Sequence, residues 1–369
     1  MNILLIEPFY SGSHKQFADQ LIEHSHHNIQ LLTLEGKFWK WRMYGAATTL
    51  GHMFIEEQLA PDLILATDML DLPTFLSITR KNLNTDVPII CYFHENQMAY
   101  PWKNNSKDKA QKRDVHYGMM NYHTAMAADH NLFNSAYNMN SFYDKLETML
   151  NKMPDHRHTD YLKALRVKSS VMPLGLTLNN SITTVSQPIN TQQKVPLILW
   201  NHRWEHDKNP ELFFDALDAL RDQGYTFRLA VLGESYKIIP KLFEDVQERF
   251  FKELVHFGYA SYKNYLRILN EADILPVTSG HDFFGISVME AIHCGVRPLL
   301  PKRLSYVELY NPDQNPELFY DTQEDLIEKL AQLCQDFQPG PRDIYRALTN
   351  PYDWQEMIQY YDTFFDKYL

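Results

Sequence analysis

The sequence predicts an α/β protein with two doubly wound, Rossmann-like domains that face a central cleft. Short apolar runs alternate with amphipathic helical segments along the chain, which is typical of parallel sheets covered by helices. Between two such series, the segment 179–195 is rich in Asn, Ser, Thr and Gln and nearly uncharged, as linkers are. The length of 369 residues is enough for two domains of ordinary size. We therefore expect a first domain at 1–178 and a second at 196–351.

The predicted strands of the first domain each end where polar or turn-forming residues begin. They lie at 2–6, 29–34, 63–67, 87–93, 130–133 and 169–173. The loop after the first strand contains Gly12, Ser13 and His14, ahead of an amphipathic helix. A single glycine is a weak phosphate motif, so we expect this loop simply to face the interdomain cleft.

The fourth strand leads directly into a polar tetrad, His94-Glu95-Asn96-Gln97. Polar residues at the carboxyl end of a buried strand lie where open α/β sheets bind ligands. A lone histidine there could be a satisfied structural residue, but a complete polar tetrad favours a binding site. We therefore predict a ligand at this strand end.

The segment 36–42 interleaves aromatic residues with cations. Such a segment can stack a base and neutralise phosphates, and a packed loop with snorkelling cations is the open alternative. A second basic stretch, 103–113, is either a phosphate-contact surface or a solvated face or mobile loop. The residues of the first segment are Lys37, Trp39, Lys40, Trp41 and Arg42, and the second ends at Arg113, shortly before Tyr117.

The stretch 281–298 couples two carboxylates to the start of a helix. A buried strand precedes it, Gly285 permits a tight turn, and apolar residues then recur at helical spacing. Asp282 and Glu290 flank the helix N-terminus, whose N–H groups can hold an anion. This arrangement suits a ligand that is both sugar and phosphate. The alternative is an ordinary strand-turn-helix with two surface acids.

Two cations, Arg203 and Lys208, straddle a strand-to-helix turn earlier in the second domain. From such a turn both side chains can reach one anion. Later strands end at Gly233 and just before Tyr259, which a helix carrying Lys263 follows. These residues extend the candidate site of the second domain.

Composition and charge exclude several classes of protein. The formal net charge of -11 argues against general nucleic-acid binding, although a local basic face can persist. Three distant cysteines form no disulfide or metal pattern and fit a reducing cytosol. The N-terminal segment lacks a basic region, so we expect a strand and not a signal peptide. Because no apolar run is long enough to span a bilayer, we expect a cytoplasmic protein without membrane contact.

The stretch around Asp282 resembles the C-terminal signature of retaining GT-B glycosyltransferases of the glycogen-synthase-like class. The matching pattern is Asp282-x7-Glu290, with Phe284-Gly285 inside and Cys294-Gly295 after it. Asp282 stands where this class usually has glutamate. The class also has an Arg-x4-Lys pair on the donor diphosphate, matched here by Arg203 and Lys208. In GT-B enzymes the terminal helix, here at about 352–369, commonly crosses back to the first domain.

Five segments of the first half form a further pattern. They are Glu7-x2-Tyr10-x-Gly12-Ser13-His14-Lys15, Gly36-Lys37-x-Trp39-x-Trp41-Arg42, Phe93-His94-Glu95-Asn96-Gln97, Arg113-Asp114-x2-Tyr117-Gly118 and Asn134-Ser135 with Asn138-Met139. By these segments the first half resembles the tRNA-queuosine α-mannosyltransferase family. This resemblance implies transfer of mannose from GDP-mannose to the cyclopentene diol of queuosine in tRNA, at the wobble position of tRNA-Asp, with retained configuration. The partners would be GDP-mannose and queuosine-containing tRNA.

The resemblance also implies roles for individual residues. Arg203 and Lys208 would stabilise the leaving phosphate in place of a metal, so no cofactor or metal is expected. Because no nucleophile for a double displacement is evident, front-side attack is the expected route. The residues with implied catalytic roles are His94, Arg203, Lys208, Asp282 and Glu290. The residues with implied donor contacts are Arg203, Lys208, Gly233, Tyr259, Lys263, Asp282, Phe284, Gly285 and Glu290. Acceptor contacts fall to Gly12, Ser13, His14, Lys37, Trp39, Trp41, Arg42, His94, Glu95, Asn96, Gln97, Arg113 and Tyr117.

Three other functions remain open at this point. A GT-B glycosyltransferase could use another nucleotide sugar on a small-molecule or lipid acceptor. A sugar-nucleotide epimerase shares the two-domain architecture, but the paired motifs at Asp282 and Arg203 disfavour it. A non-catalytic nucleotide- or tRNA-binding module would release no GDP.

Overall fold

The structure is a computed structural model, and it describes residues 1–101, 113–178, 195–233, 239–335 and 337–369, without the side chains of residues 113 and 114. The chain divides into two compact units. The first unit contains Met1–Leu176 and Trp354–Leu369, and the second contains Thr177–Asp353. The predicted linker lies outside the described residues except for its last residue.

The first unit is built on a six-stranded sheet in which every paired strand is parallel. The strands follow the order β2-β1-β3-β4-β5-β6 across the sheet. They are β1 Asn2–Tyr10, β2 Asn28–Glu35, β3 Leu63–Thr67, β4 Ile89–Phe93, β5 His130–Phe133 and β6 Ser169–Val171. Helices α1 Gly12–His24, α2 Trp39–Glu56, α3 Leu72–Thr79, α4 Arg113–Ala127, α5 Ala136–Leu150, α6 Tyr161–Val167 and the C-terminal α14 Trp354–Phe365 belong to the same unit.

The second unit repeats this plan with strand order β12-β11-β10-β7-β8-β9, again parallel. Its strands are β7 Leu197–Trp200, β8 Arg228–Leu232, β9 Leu254–Gly258, β10 Ile274–Pro276, β11 Arg297–Pro301 and β12 Phe319–Tyr320. Its helices are α7 Pro210–Asp222, α8 Lys241–Arg249, α9 Tyr262–Glu271, α10 Ile286–His293, α11 Tyr306–Tyr310, α12 Gln323–Gln335 and α13 Arg342–Thr349.

Each unit has its own apolar core, because fully apolar strands are covered by amphipathic helices. In the first unit Ile64 of β3 packs in one cluster with Leu50 of α2 and Phe142 of α5. In the second unit Ile198 of β7 packs in another with Leu217 of α7. The predicted α/β class with two doubly wound parallel sheets is therefore confirmed.

Two features of the fold differ from the sequence prediction. The segment 36–42, for which a packed loop was one interpretation, is the entry to α2, with Phe38 at the N-cap in a left-handed conformation, φ 52°. The prediction included no strand at β11, because Pro298 and Pro301 are residues typical of strand edges and turns. Among the described residues, no helix combines the length and apolar character needed to cross a bilayer.

Candidate functional site

Three neighbouring strands of the first unit bring acidic and histidine side chains to one edge of its sheet. Glu7 lies toward the carboxyl end of β1, Asp68 directly follows β3 and His94 directly follows β4. The chain order reverses at β1, and doubly wound sheets bind ligands at such a switch point. His14 of α1 joins them, and we call these four residues the histidine cluster.

An ion pair joins Glu7 to His14 within this cluster. Glu7 is fully buried, and its Oε2 lies 3.0 Å from His14 Nδ1. Burial alone would lower the pKa of His14, but the charge of Glu7 and the hydrogen bond to it raise that pKa to about 9. His14 is therefore a cation at neutral pH. Gly12, with φ +53°, begins α1 just ahead of it, and Ser13 is exposed.

His94 is buried beside this ion pair, with its ring 4.4 Å from the ring of His14. Its backbone N–H donates to Asp68 Oδ1 at 2.9 Å, which fixes the loop after β4. Burial and then the charge of His14 lower the pKa of His94 well below its usual range, so its ring is neutral. Burial raises the pKa of Asp68. His94 Nε2 and Asp68 Oδ2 are buried without a hydrogen-bond partner in the described structure, so both are suited to a hydroxylated ligand.

The other residues of the tetrad divide between loop support and binding capacity. Asn96 Nδ2 donates to Asn138 Oδ1 at 2.8 Å, and its Oδ1 accepts from the N–H of Ala99 at 2.8 Å. Its amide is thus used to hold the loop. Gln97 Nε2 donates to Glu95 Oε1 at 2.8 Å, whereas Gln97 Oε1 is buried and unpartnered among the described residues.

The aromatic segment at the start of α2 is divided between core and surface. Trp39 packs on the buried Tyr117, with ring centroids 5.4 Å apart, in a small cluster that includes Met43. Trp41 is 63% exposed, and its indole lies along Gly45, where a Cβ would come within 2.8 Å of the ring. Of the two tryptophans, Trp41 is therefore the one available for stacking.

Two aromatic residues that the sequence reasoning did not select extend this surface. Phe38 is 77% exposed and Tyr44 is 41% exposed. With Trp41 they give the start of α2 three exposed aromatic rings, of which that of Tyr44 also packs on Tyr117, with ring centroids 5.3 Å apart. We call Phe38, Trp41 and Tyr44 the aromatic face.

The cations around the aromatic face are held by the chain itself. Lys37 Nζ lies 2.6 Å from Glu35 Oε1, and Arg42 Nε donates to the Glu35 carbonyl at 3.0 Å. Lys40 lies over the ring of Trp39, 5.5 Å from its centroid. The predicted basic stretch up to residue 112, and the side chain of residue 113, lie outside the described residues.

In the second unit, polar residues gather at the switch point between β7 and β10. Lys208, in a short 3-10 segment after β7, is buried and donates from Nζ to the His281 carbonyl at 2.8 Å. The same Nζ lies 3.2 Å from Asp207 Oδ2 and 3.5 Å from Asp282 Oδ2, which comes from the loop after β10. We call Asp207, Lys208 and Asp282 the lysine cluster. It is a buried cation held by two acids.

Asp282 is kept ionised by its surroundings. Burial alone would raise its pKa, but the charge of Lys208, assisted by a hydrogen bond from Tyr306, lowers the pKa below its usual range. Tyr306 Oη donates to Asp282 Oδ2 at 2.9 Å. Gly285, with φ +83°, begins α10 next to it, and a Cβ there would lie 3.0 Å from the Tyr306 ring.

Glu290 lies one and a half turns into α10 and is tied to α9. Tyr265 Oη donates to Glu290 Oε2 at 2.7 Å. Burial raises the pKa of Glu290, and this hydrogen bond partly opposes the increase. Asn201, directly after β7, donates to the Ser287 carbonyl at 2.6 Å and so ties the strand end to α10.

Arg203 differs from Lys208, although the sequence predicted both as a pair. Its side chain is 51% exposed, and Nη1 lies 3.5 Å from Glu205 Oε1. The structure therefore brings Lys208 together with Asp282, and keeps Arg203 at the surface with a different acid.

The remaining predicted donor residues have varied environments. Gly233 lies against Trp204, leaving no room for a Cβ. Tyr259 is 66% exposed, Lys263 is exposed near the start of α9, and Phe284 is buried.

Several polar residues of both sites were missed by the sequence reasoning. Asp68 directly follows a predicted strand, the same signal that selected His94, and could have been found that way. Glu7 appeared only as part of a family motif. Tyr265 and Tyr306 are far in sequence from the carboxylates they bind, and no local pattern marks them.

Two groups of described residues have a composition that could hold a metal ion: Glu7, His14 and His94, and a second group at His26, His27 and Asp362. In the first group His14 is held in an ion pair with Glu7, and His94 keeps a buried Nε2 without a hydrogen-bond partner in the described structure.

Comparison with known proteins identifies a family for each half of the chain. Residues 2–176 match the family described as tRNA-queuosine alpha-mannosyltransferase N-terminal, and residues 181–346 match glycosyl transferases group 1. A tRNA-queuosine alpha-mannosyltransferase of Drosophila melanogaster is 35% identical over 340 residues, covering 90% of this chain and 87% of that protein.

Solved structures of low sequence identity share the fold. The catalytic domain of starch synthase IV from Arabidopsis thaliana, bound to ADP and acarbose, matches with a TM-score of 0.72 at 10% identity, covering 100% of this chain and 99% of that one. Sucrose-phosphate synthase from Thermosynechococcus elongatus matches with a TM-score of 0.70 at 13% identity, covering 100% and 98%. These structures share the GT-B fold, and the long match to the Drosophila protein identifies the family: the chain belongs to the tRNA-queuosine α-mannosyltransferase family of glycosyltransferases.

Proposed function

We propose that this protein transfers mannose from GDP-mannose to the cyclopentene diol of queuosine in tRNA, with retention at the anomeric carbon. The observation that carries the proposal is a family relationship that spans both sites, because the relative of that name aligns over 90% of this chain. The tRNA-Asp wobble nucleoside is the acceptor that the family resemblance suggests.

In this reaction the bond between mannose C1 and the β-phosphate oxygen of GDP breaks. A bond forms between C1 and a queuosine hydroxyl oxygen on the same face, and the hydroxyl proton passes to the departing phosphate. The chain's task is therefore to stabilise negative charge on GDP and to position a neutral hydroxyl.

The donor end of the proposal rests on the lysine cluster. Lys208 is buried, and the two acids that contact it fix its position before any ligand arrives. A donor diphosphate would take over part of that pairing, with Arg203 reaching it from the surface and the N-terminus of α10 supplying N–H groups. Asp282 would accept from mannose hydroxyls, and Glu290 from the ribose.

The acceptor end rests on the histidine cluster. A neutral His94 with an unpartnered Nε2 can accept a hydrogen bond from the attacking hydroxyl. The nearby Asp68 Oδ2 and Gln97 Oε1 are also unpartnered and can bind the second hydroxyl of a diol.

Binding of the tRNA itself would use the aromatic face. Phe38 and Trp41 offer exposed rings on which an unpaired anticodon-loop base could stack. Lys37, Lys40 and Arg42 would contact phosphates, so affinity should fall steeply as salt rises.

The deciding experiment uses GDP-mannose with queuosine-containing tRNA and, as control, the same tRNA lacking queuosine. After digestion to nucleosides, mass spectrometry should detect queuosine plus one hexose only in the first sample. GDP-glucose and UDP-galactose in parallel reactions test the donor. Equal labelling of both tRNAs, or consumption of a lipid acceptor instead, would contradict the assignment.

We further propose that no divalent cation is needed for transfer, because Lys208, Arg203 and the α10 N-terminus carry the phosphate charge. Excess EDTA should leave the turnover number unchanged. Activity that EDTA abolishes and Mg²⁺ or Mn²⁺ restores would refute this. The proposed reaction belongs to the cytosol, and the three cysteines are buried free thiols, in keeping with a reducing compartment.

A further inference from the structure

A second histidine and carboxylate group lies in the first unit, away from the histidine cluster. His26 and His27 occupy the turn between α1 and β2, at the amino end of the parallel sheet. Asp362 is in the last turn of α14, and Asp366 begins the short 3-10 segment that follows. The histidine cluster lies at the carboxyl ends of the strands, so the two groups lie at opposite ends of the parallel strands. We call this group the terminal-helix cluster.

The ligand-type atoms of this cluster converge. His26 Nδ1 lies 2.8 Å from Asp362 Oδ2, and one ligand atom each from His26, His27 and Asp362 lies within 4.8 Å of the other two. His27 Nε2 lies 3.4 Å from Asp366 Oδ1 and 4.0 Å from Asp362 Oδ1. Two ligand atoms that bind the same tetrahedral zinc ion at normal bond lengths are about 3.3 Å apart. The observed spacings bracket that value.

His27 is the observation that points to a ligand. Its side chain is 1% exposed, yet neither ring nitrogen has a hydrogen-bond partner in the described structure. Its Nε2 faces two carboxylates at distances beyond an ordinary hydrogen bond. A buried imidazole left in this state destabilises the fold unless something occupies the space between it and the acids.

The remaining chemistry of the cluster agrees with metal ligation. Ser25 Oγ donates to Asp362 Oδ1 at 2.6 Å, and the His26 N–H donates to Asp362 Oδ2 at 3.2 Å, so this carboxylate is already oriented. Such outer contacts are typical of metal-binding carboxylates.

We propose that His26, His27 and Asp362 form a structural site for a divalent transition metal, with Asp366 beside it, 3.4 Å from His27 Nε2. Zn²⁺ is the ion that best suits two imidazoles and carboxylate oxygens. The bound ion would join α14 to the α1–β2 turn and would take no part in glycosyl transfer. The alternative is that only the ion pair between His26 and Asp362 exists, without a metal.

The test uses full-length protein without a histidine tag, stripped of metal with EDTA and dialysed. Zn²⁺ binding is measured by competition with a chromophoric chelator, and Co²⁺ binding by its visible absorption. We expect roughly one ion per chain. Zn²⁺ should also raise the midpoint of thermal unfolding by several degrees, because it binds only the folded state.

Variants decide whether the ion occupies this cluster. His26→Gln and Asp366→Asn alter the two more exposed members, so both proteins should fold, and each should weaken Zn²⁺ binding at least tenfold. His52→Gln changes an exposed histidine of α2 and should leave binding unchanged. Mannosyl transfer at low temperature should be equal with and without Zn²⁺. Substoichiometric binding, or identical affinity in wild type and both cluster variants, would overturn the proposal.

Discussion

The two candidate sites occupy equivalent positions in their units, but their buried polar side chains are paired differently. In the lysine cluster a buried cation is balanced by two acids, and the pKa of Asp282 is lowered. In the histidine cluster the pKa of His94 is lowered and that of Asp68 is raised, and each keeps an unpartnered atom. The lysine cluster is charged and paired, except at the buried Asp207 Oδ1. The histidine cluster combines the charged Glu7–His14 pair with a neutral His94 whose Nε2 has no hydrogen-bond partner in the described structure.

This difference indicates what each site can bind. A buried cation paired with acids can exchange a protein carboxylate for a phosphate, which is also negative, without being left as an uncompensated buried charge. A neutral group without a partner, such as the His94 ring, gains most from a ligand that supplies hydrogen bonds without charge, such as a diol. We therefore assign the lysine cluster to the proposed anionic donor and the histidine cluster to the diol of the proposed acceptor.

The largest loss of activity is expected from a substitution in the lysine cluster. Lys208→Ala should lower turnover by about 10²–10³, because one preorganised charge near the leaving phosphate is lost. Initial rates of GDP release measure this. Lys241→Ala, which removes an exposed lysine of α8, is the matched control and should keep the wild-type rate. A Lys208→Ala protein that folds and turns over normally would remove the lysine cluster from the mechanism.

The next effect separates the two sites. His94→Gln should lower transfer about 10²-fold by removing the imidazole that accepts a hydrogen bond from the attacking hydroxyl. Affinity for GDP should stay unchanged, since the donor contacts are assigned to the second unit. Calorimetric titration with GDP checks this, and a loss of GDP affinity equal to the loss of rate would show that the division between sites is wrong.

A smaller effect distinguishes the two tryptophans. Trp41→Ala should weaken tRNA binding about tenfold, the equivalent of one lost stacking contact, without lowering the unfolding temperature. Trp39→Ala should instead lower the unfolding temperature, because that ring packs on Tyr117. Filter binding and thermal denaturation of both variants provide the comparison. The reverse pattern would contradict the exposed position of Trp41.

The smallest effect concerns pH. The pKa of His14 is raised from 6.5 to about 9, so its pairing with Glu7 stabilises the fold fully below about pH 6.5. That stabilisation is lost as the pH rises through about 9. The unfolding temperature of wild type should exceed that of His14→Gln by a few degrees at pH 6, and the gap should narrow by pH 10. A gap independent of pH would mean that His14 is not protonated in the folded protein.

Sequence patterns predicted the architecture well where one short segment carries the signal. The apolar strands and the polar residues that end them are local features, which is why His94 and Asp282 could be placed at strand ends. The start of α2 could not be assigned, because a left-handed Phe38 and interleaved cations obscure the helical spacing. Strand β11 could not be predicted either, because two prolines lie in it.

Partners distant in the chain could not be predicted. Tyr306 reaches Asp282 from 24 residues away, and Tyr265 reaches Glu290 from 25 residues away. The residues around a helical tyrosine do not indicate whether its hydroxyl donates to a carboxylate or to water. The packing of the partly buried Trp39 likewise depends on Tyr117, which a different helix supplies.

Helix α14 sets the order in which the protein can be assembled. The buried Trp354 donates from its backbone N–H to the Leu176 carbonyl, and Tyr361 Oη donates to the Pro173 carbonyl at 2.9 Å. The first unit is therefore completed by residues translated after the whole of the second. During synthesis the nascent first unit therefore exposes the apolar surface that α14 covers until that helix has been made.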